Sequence, residues 1–233
     1  MALPFFYINE YTASQKEIIL NEETSKHIVQ VLRMKVGEQL NLTDGKGALL
    51  TCGITTEHKR HCEVKVLSAV IYPLLSKKIT IAISLLKNAN RFEWFLEKAT
   101  EIGVNEIIPL ICERTEKEKF RFDRMQAICI SAMLQSQQTW LPVLQEPLDF
   151  KKLFEQSMAE QKFIAHCDEG TKQNLHSHIR TSAPSCICIG PEGDFTKQEI
   201  DLALQNNFIP VSLGDTRLRT ETAGVVASTL LKQ

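Results

Sequence analysis

The sequence predicts an α/β chain in two parts. A short β-rich N-terminal unit holding one helix precedes a longer unit built on a mostly parallel sheet with helices on both faces. Three observations predict it. Residues 1 to about 72 carry short, partly alternating apolar runs around a single segment of helical period. From about 79 onward, apolar runs alternate with helical segments, the rhythm of βαβ units. The chain has 233 residues, enough for one large domain or two small ones with ample core.

In the first part, "FFYI" (5–8) and "EIIL" (17–20) read as strands. "NEETSKHIVQVLRM" (21–34) places Ile28, Val31 and Leu32 at helical spacing, with Asn21 as N-cap. "EQLNLTDGKGALLTCGIT" (38–55) reads as a hairpin turning at Asp44-Gly45, and "CEVKVLSAVIY" (62–72) as a further strand. A small β-barrel with one helix is the economical assembly. "YPLLSKK" (72–78) connects the parts, which sets the expected domains at 1–72 and 73–233.

In the second part, "ITIAISLL" (79–86) is a strand, and "RFEWFLEKATEIG" (91–103) is a helix closed by Gly103. "EIIPLI" (106–111), "KFIAHC" (162–167), "SCICIG" (185–190) and "FIPVSLG" (208–214) are strands. Residues 122–138, 196–206 and 220–232 read as helices.

The formal net charge is −1, so no global basic field advertises a nucleic-acid partner, although a local patch suffices. No apolar stretch approaches the roughly 20 residues of a membrane helix, and "MALPFFYINEY" lacks the features of a secretory signal. Seven cysteines, an odd number without a CxxC pair, fit reduced thiols. A cytoplasmic location is therefore expected, with no membrane partner.

Ligands of open α/β sheets bind beyond the carboxyl ends of strands. Two such ends are unusual here, "IGPEGDFT" and "LGDTRLRTETAG". In the first, the glycines permit close backbone approach and positive φ. Pro191 stiffens the loop, and Thr196 with Glu199 makes a capping box for the next helix. The loop matches neither GxGxxG nor GxxxxGK[ST], has no lysine for phosphates, and carries Glu192, which repels them. A carboxylate beside bare backbone suits a neutral or cationic ligand, such as an adenosine bearing a sulfonium. In the second segment, Thr220 is placed to cap a helix and Glu221 to favour its positive end. The bland alternatives are an ordinary strand-to-helix turn and a well-capped helix with solvated arginines.

These residues resemble the SPOUT class of S-adenosylmethionine-dependent RNA methyltransferases. The likeness is to the bacterial family acting on N3 of a uridine in 16S rRNA of the small ribosomal subunit, position 1498 in the usual rRNA numbering. "HIVQVLRMKVGE" (27–38), "EKATEIGVNEIIPL" (97–110) and "AMLQSQQTWLP" (132–142) share in the likeness, which spans nearly the whole chain in order. The resemblance implies a PUA-like RNA-binding barrel followed by a parallel sheet tied in a deep trefoil knot, working as a homodimer. It implies S-adenosylmethionine as cofactor, held by Ile189, Gly190, Pro191, Glu192 and Gly193 on one wall, and by Leu213, Gly214, Leu218 and Arg219 on the other. By periodicity alone the sheet would be drawn unknotted, since knots are rare. The family pattern after Leu-Gly is x-Arg-Ile-Leu-Arg, whereas this chain has Asp215-Thr216-Arg217-Leu218-Arg219. Where the family often has an arginine, this chain has Gln138.

Methylation of uridine N3 requires loss of its proton and stabilisation of the anion left behind. A cation aimed at the ring carbonyls does this. Arg219 is the first candidate and Arg217 the second, with Glu221 or Glu192 as proton acceptor. RNA contacts are expected from Arg33, Lys35, Lys87 and Arg91. The run Arg114, Lys117, Lys119, Arg121 and Arg124 alternates with acids and reads as a solvated face. No metal is expected: His58, His61, His176 and His178 form pairs without a third ligand. Cys186 and Cys188 share one strand face and read as small apolar core residues. The competing readings are a nonenzymatic ribosome-assembly factor, a methyltransferase of the same class acting at another RNA position, and a nucleotide-dependent oxidoreductase. The absence of a glycine fingerprint after 79–86 argues against the last.

Overall fold

The computed structural model describes residues 3–74, 77–116, 119–155, 159–168, 172–180 and 183–233. The chain divides into two compact units, Met1–Leu74 with Met133–Leu141, and Leu75–Ala132 with Pro142–Gln233. Part of the expected connection, residues 75 and 76, lies outside the described residues.

The first unit contains β1 (Phe5–Tyr7), β2 (Glu17–Ile19), α1 (Glu22–Lys26), β3 (Gln39–Thr43), β4 (Ala48–Thr56) and β5 (Glu63–Ile71). Its sheet runs β1-β3-β4-β5-β2, antiparallel except for the parallel β1–β3 pair. Register shifts at Thr51/Cys52 and Ile54/Thr56 mark irregularities of the kind that bend and twist a strand pair. The core joins Ile18, Ile28, Leu40, Leu42, Leu50 and Val64. In the β3–β4 turn, Asp44 Oδ1 accepts from the Lys46 and Ala48 amides at 2.8 and 3.2 Å. The segment Met133–Leu141 joins this unit through that turn: the Gly47 amide donates to the Thr139 carbonyl, and the Leu141 amide to that of Gly45, both at 2.9 Å.

Asn21 caps α1 as expected, accepting from the Thr24 amide at 2.8 Å. The helix then widens into a π-turn over His27–Val31. A π-turn advances the face by an extra residue, so of the three apolar positions only Ile28 is buried. Val31 and Leu32 are exposed, which the 3.6-residue reading did not anticipate.

The second unit is an eight-stranded, wholly parallel sheet. Its strands are β6 (Ile79–Ser84), β7 (Glu106–Ile111), β8 (Val143–Leu144), β9 (Leu148–Asp149), β10 (Gln161–Ala165), β11 (Gln173–Asn174), β12 (Ser185–Ile189) and β13 (Ile209–Ser212). The helices are α2 (Ala89–Ile102), α3 (Phe122–Gln135), α4 (Lys197–Gln205) and α5 (Thr220–Lys232). The order is β11-β13-β10-β12-β6-β7-β8, with β9 also paired to β7. Every residue of β6 and β12 is buried, as both faces of a covered parallel sheet require. Cys186 and Cys188 pack with Ile164, Phe195, Ile200 and Phe208. Gly103 ends α2 in the left-handed conformation, φ 88°, as expected. α5 packs on α2 and β6, close enough that a Cβ on Gly224 would lie 2.6 Å from the Phe95 ring. Among the described residues no helix is long and apolar enough to cross a membrane.

Candidate active site

The strand order makes the site. β10 lies between β12 and β13, and Ala165 is in register with both Ile189 and Val211. Three parallel strands therefore end side by side, and their outgoing loops surround a cavity of about 640 Å³. A cavity of that size suits a cofactor-sized ligand. Ile189, Gly190, Pro191 and Glu192 line it from β12; Leu213, Gly214, Arg217, Leu218 and Arg219 line it from beyond β13. Of the expected cofactor residues only Gly193 stays off the wall.

The β12 loop is held by bonds from several directions. The Asp194 amide closes a turn on the Pro191 carbonyl at 2.9 Å. The Asp194 side chain accepts from the Cys167 amide at 2.7 Å, which ties the end of β10 to the loop. Glu192 accepts from the Lys87 amide at 3.2 Å, and Arg114 donates to the Gly193 carbonyl at 2.7 Å. Thr196 and Glu199 form the expected capping box on α4. Glu199, buried, also accepts from the Glu113 amide at 2.8 Å.

The glycines act differently from expectation. Neither Gly190 nor Gly193 has positive φ; the left-handed residue of this loop is Asp194, at φ 64°. Gly190 packs closely, since a Cβ there would lie 3.0 Å from the Phe195 ring and ask it to give way by a few tenths of an ångström. Gly214 does take a left-handed value, φ 142°. The start of α5 is also shifted by one residue. Arg219 occupies the N-cap without a side-chain bond and Thr220 is the first helical residue, so Thr220 does not cap.

Arg217 and Arg219 are exposed on the cavity wall, and neither forms an ion pair among the described residues. Glu221 is buried behind that wall: Oε1 lies 3.7 Å from Arg91 Nε, and Oε2 has no partner. Lys87 is exposed and paired with Glu116 at 2.6 Å. In the first unit, Arg33 and Lys35 are exposed just beyond the π-turn. Arg33 is left-handed at φ 57°, and Lys35 lies 3.5 Å from Glu57.

The described residues of the basic run, Arg114, Lys119, Arg121 and Arg124, are exposed as expected, and two of them are also engaged. Arg114 holds the loop after β12, and Arg124 pairs with Glu93 through a 2.8 Å bond. Lys117 and its acidic neighbour Glu118 lie outside the described residues. His58 and His61 stack with centroids 3.8 Å apart. Among the described residues no group of three or more potential ligands could hold a metal ion.

Sequence reasoning missed His166, Cys167 and Lys172, which line the cavity. The signal is available in kind, because "KFIAHC" reads as a strand and its carboxyl end is equally eligible. What the sequence lacks is the strand order that puts this end between the other two.

The sequence and fold are matched by known proteins. The RNA methyltransferase domain family matches residues 73–232, and the RNA methyltransferase PUA domain family matches residues 20–67. The chain belongs to the RNA methyltransferase family. Its fold is similar to the crystal structure of a probable rRNA-methyltransferase from Porphyromonas gingivalis, at 37% identity and TM-score 0.90, covering 97% of this chain and 95% of that one. It is similar to a ribosomal RNA small subunit methyltransferase E from Neisseria gonorrhoeae bound to S-adenosyl methionine, at 31% identity and TM-score 0.86, with the same coverage. A curated relative, ribosomal RNA small subunit methyltransferase E from Rickettsia conorii, is 27% identical over 95% of this chain and 91% of its own length. Carboxylates and bare backbone thus stand on one wall, and two arginines without an ion pair among the described residues on the other. The first wall suits a cationic ligand, and the second suits an anion forming opposite it.

Proposed function

We propose that this chain transfers a methyl group from S-adenosylmethionine to N3 of a uridine in 16S rRNA of the small ribosomal subunit. The observation that carries the reading is the convergence of three strand ends on one cavity with both cofactor segments and both arginines on its wall. The cofactor supplies an electrophilic methyl on a sulfonium. Gly190 and the Pro191–Asp194 turn give it bare backbone, and Glu192 gives it a carboxylate. Arg219 stabilises negative charge developing on the uracil carbonyls, with Arg217 beside it. Glu192, a carboxylate lining the cavity, is the proposed acceptor of the N3 proton. Glu221 stands behind, against Arg91, and becomes an acceptor only if Arg91 leaves it for RNA.

The change at Asp215-Thr216-Arg217 leaves the cationic side intact, since Arg217 and Arg219 both reach the cavity, which favours an enzyme over a bare assembly factor. Residues 1–72 serve as the RNA-binding unit, with Arg33 and Lys35 as contacts, and residues 73–233 as the methyltransferase unit, with Lys87 and Arg91 near the mouth. The parallel sheet is tied in a trefoil knot, a reading that rests on the family resemblance and not on the strand order, which knotted and unknotted sheets share. The protein works in the cytoplasm as a homodimer, a state that light scattering on the purified protein tests.

The deciding experiment incubates the protein and labelled S-adenosylmethionine with small subunits lacking the modification, and with free rRNA, and maps the product by mass spectrometry. A methyl on N3 of one uridine in assembled subunits is expected. Transfer to another position, or tight subunit binding without transfer, would overturn the reading. Arg219→Ala should lower turnover by about two to three orders of magnitude. Unchanged cofactor binding and unchanged transfer in that variant would remove Arg219 from its role.

A further inference from the structure

His166 follows β10, between the two strand ends that carry the cofactor segments, and it lines the cavity. Its Nδ1 is buried without a hydrogen-bond partner. Lys172 stands beside it, donating from Nζ to the His166 carbonyl at 2.8 Å. Protonating the ring would place an N–H where no acceptor meets it, and a second positive charge near the Lys172 ammonium. Burial first, then Lys172, hold the imidazole below its ordinary value, against the opposing pull of Asp194 and Asp168.

The remaining charged groups of the wall are Glu192, Asp194, Arg217 and Arg219. Asp194 is engaged by the Cys167 and Phe195 amides at 2.7 and 2.9 Å, and Glu192 by the Lys87 amide at 3.2 Å. Lys172, Arg217 and Arg219 already oppose these two carboxylates. A protonated His166 adds a fourth cation to three that already face two carboxylates, and so further disfavours a positively charged ligand.

We propose that His166 is a specificity-determining residue: kept uncharged, it admits the sulfonium cofactor, and protonating it disfavours that cation relative to the neutral thioether product, S-adenosylhomocysteine. This rests on the reading that the cavity holds S-adenosylmethionine. Groups bounding a cavity of about 640 Å³ lie within about 10 Å of one another, where two unit charges at protein-like dielectric and ordinary salt interact by about tenfold in affinity. Linkage makes the effect reciprocal: a bound sulfonium shifts His166 protonation to lower pH, and sulfonium affinity falls as pH drops through the free protein's value.

The test titrates the full chain calorimetrically with S-adenosylmethionine and with S-adenosylhomocysteine at about pH 7.5, above ordinary histidine titration, and at a pH below the His166 titration that NMR reads in the free and ligand-bound protein, alongside H166Q. NMR follows the His166 ring in the free protein and with each ligand. The ratio of sulfonium to thioether affinity should fall about tenfold on acidification of the wild type and stay constant in H166Q. The sulfonium alone should move the His166 titration to lower pH. A wild-type ratio independent of pH, an equal change in H166Q, or identical ring titrations with both ligands would overturn the proposal and leave the cofactor assignment standing. Failure of both ligands to bind at either pH would overturn the cofactor assignment, and this proposal with it.

Discussion

Gly224→Ala is the substitution whose effect follows most directly from the packing. A Cβ built at Gly224 lies 2.6 and 2.7 Å from Phe95 ring carbons and 2.8 Å from Ile83 Cδ1. Phe95 and Ile83 are both fully buried, so neither can swing into solvent. Either the ring leaves its rotamer or α5 lifts from α2 and β6. Overpacking of this kind costs about 1–3 kcal/mol, and two neighbours closer than contact put this site at the upper end. Alanine recovers about 1 kcal/mol of helix propensity. The net loss of about 2 kcal/mol lowers the melting temperature by about 4–8 °C in a chain of this size. Circular dichroism melts read it directly. Because Thr220 and Ala223 line the cavity from the same helix, lifting α5 should also weaken S-adenosylmethionine binding. A variant that melts at or above the wild-type temperature would refute the reasoning, because the helix would then have slack that the close approach denies.

The other predictions concern the loops and the thiols. Cys167 is the exposed member of the seven free cysteines and lines the cavity. It should be the fast-reacting thiol, protected by S-adenosylmethionine, while burial pushes Cys112 up to about 12 and Cys129 to about 11 and keeps them inert; kinetics with a chromogenic disulfide in wild type and C167S check this. Glu199→Ala strips acceptors from the Thr196 and Glu113 amides, at 2.8 Å each. It should cost about 2–3 kcal/mol in urea unfolding, with weaker cofactor binding because the same loop anchors the cavity. Burial would raise the Glu106 carboxyl, but Lys78, Gln145 and Thr80 together outweigh it and hold the group low. Its stabilisation is thus full above the unfolded carboxylate value and is lost as pH falls through the folded one. The stability gap between wild type and Glu106→Gln, measured by urea titration at a series of pH values, should narrow on acidification and stay flat near neutrality.

Much of the architecture is legible because the long elements carry long signals. β6 and β12 are continuous apolar runs bounded by turn residues, and Gly103 ends α2 where a left-handed cap is needed. The two-residue strands β8, β9 and β11 leave no trace, since a period cannot be read from two positions. Val31 and Leu32 misled because a π-turn breaks the helical period within the motif itself. In the site, both glycine-bearing segments stand out by residue type, whereas His166 is an ordinary residue made significant by its neighbours. Strand order is a property of distant pairing, and no local window reports that β10 lies between β12 and β13.

The insertion of β12 also governs how this protein comes into being. Ser185 must find Ile79 on one side and Gln161 on the other, so the middle of the sheet is completed by a late segment of the chain. Until it arrives, β6 and β10 are open edges, competent to pair with another molecule. Pairing over such separations makes folding slow. The loop that follows β12 exists in its working shape only once that strand is seated, so a chain that binds its ligand has already finished assembling. Ligand occupancy is therefore a readout of maturation, and a saturating ligand present during refolding should rescue yield by trapping the completed sheet rather than by hastening the search for it.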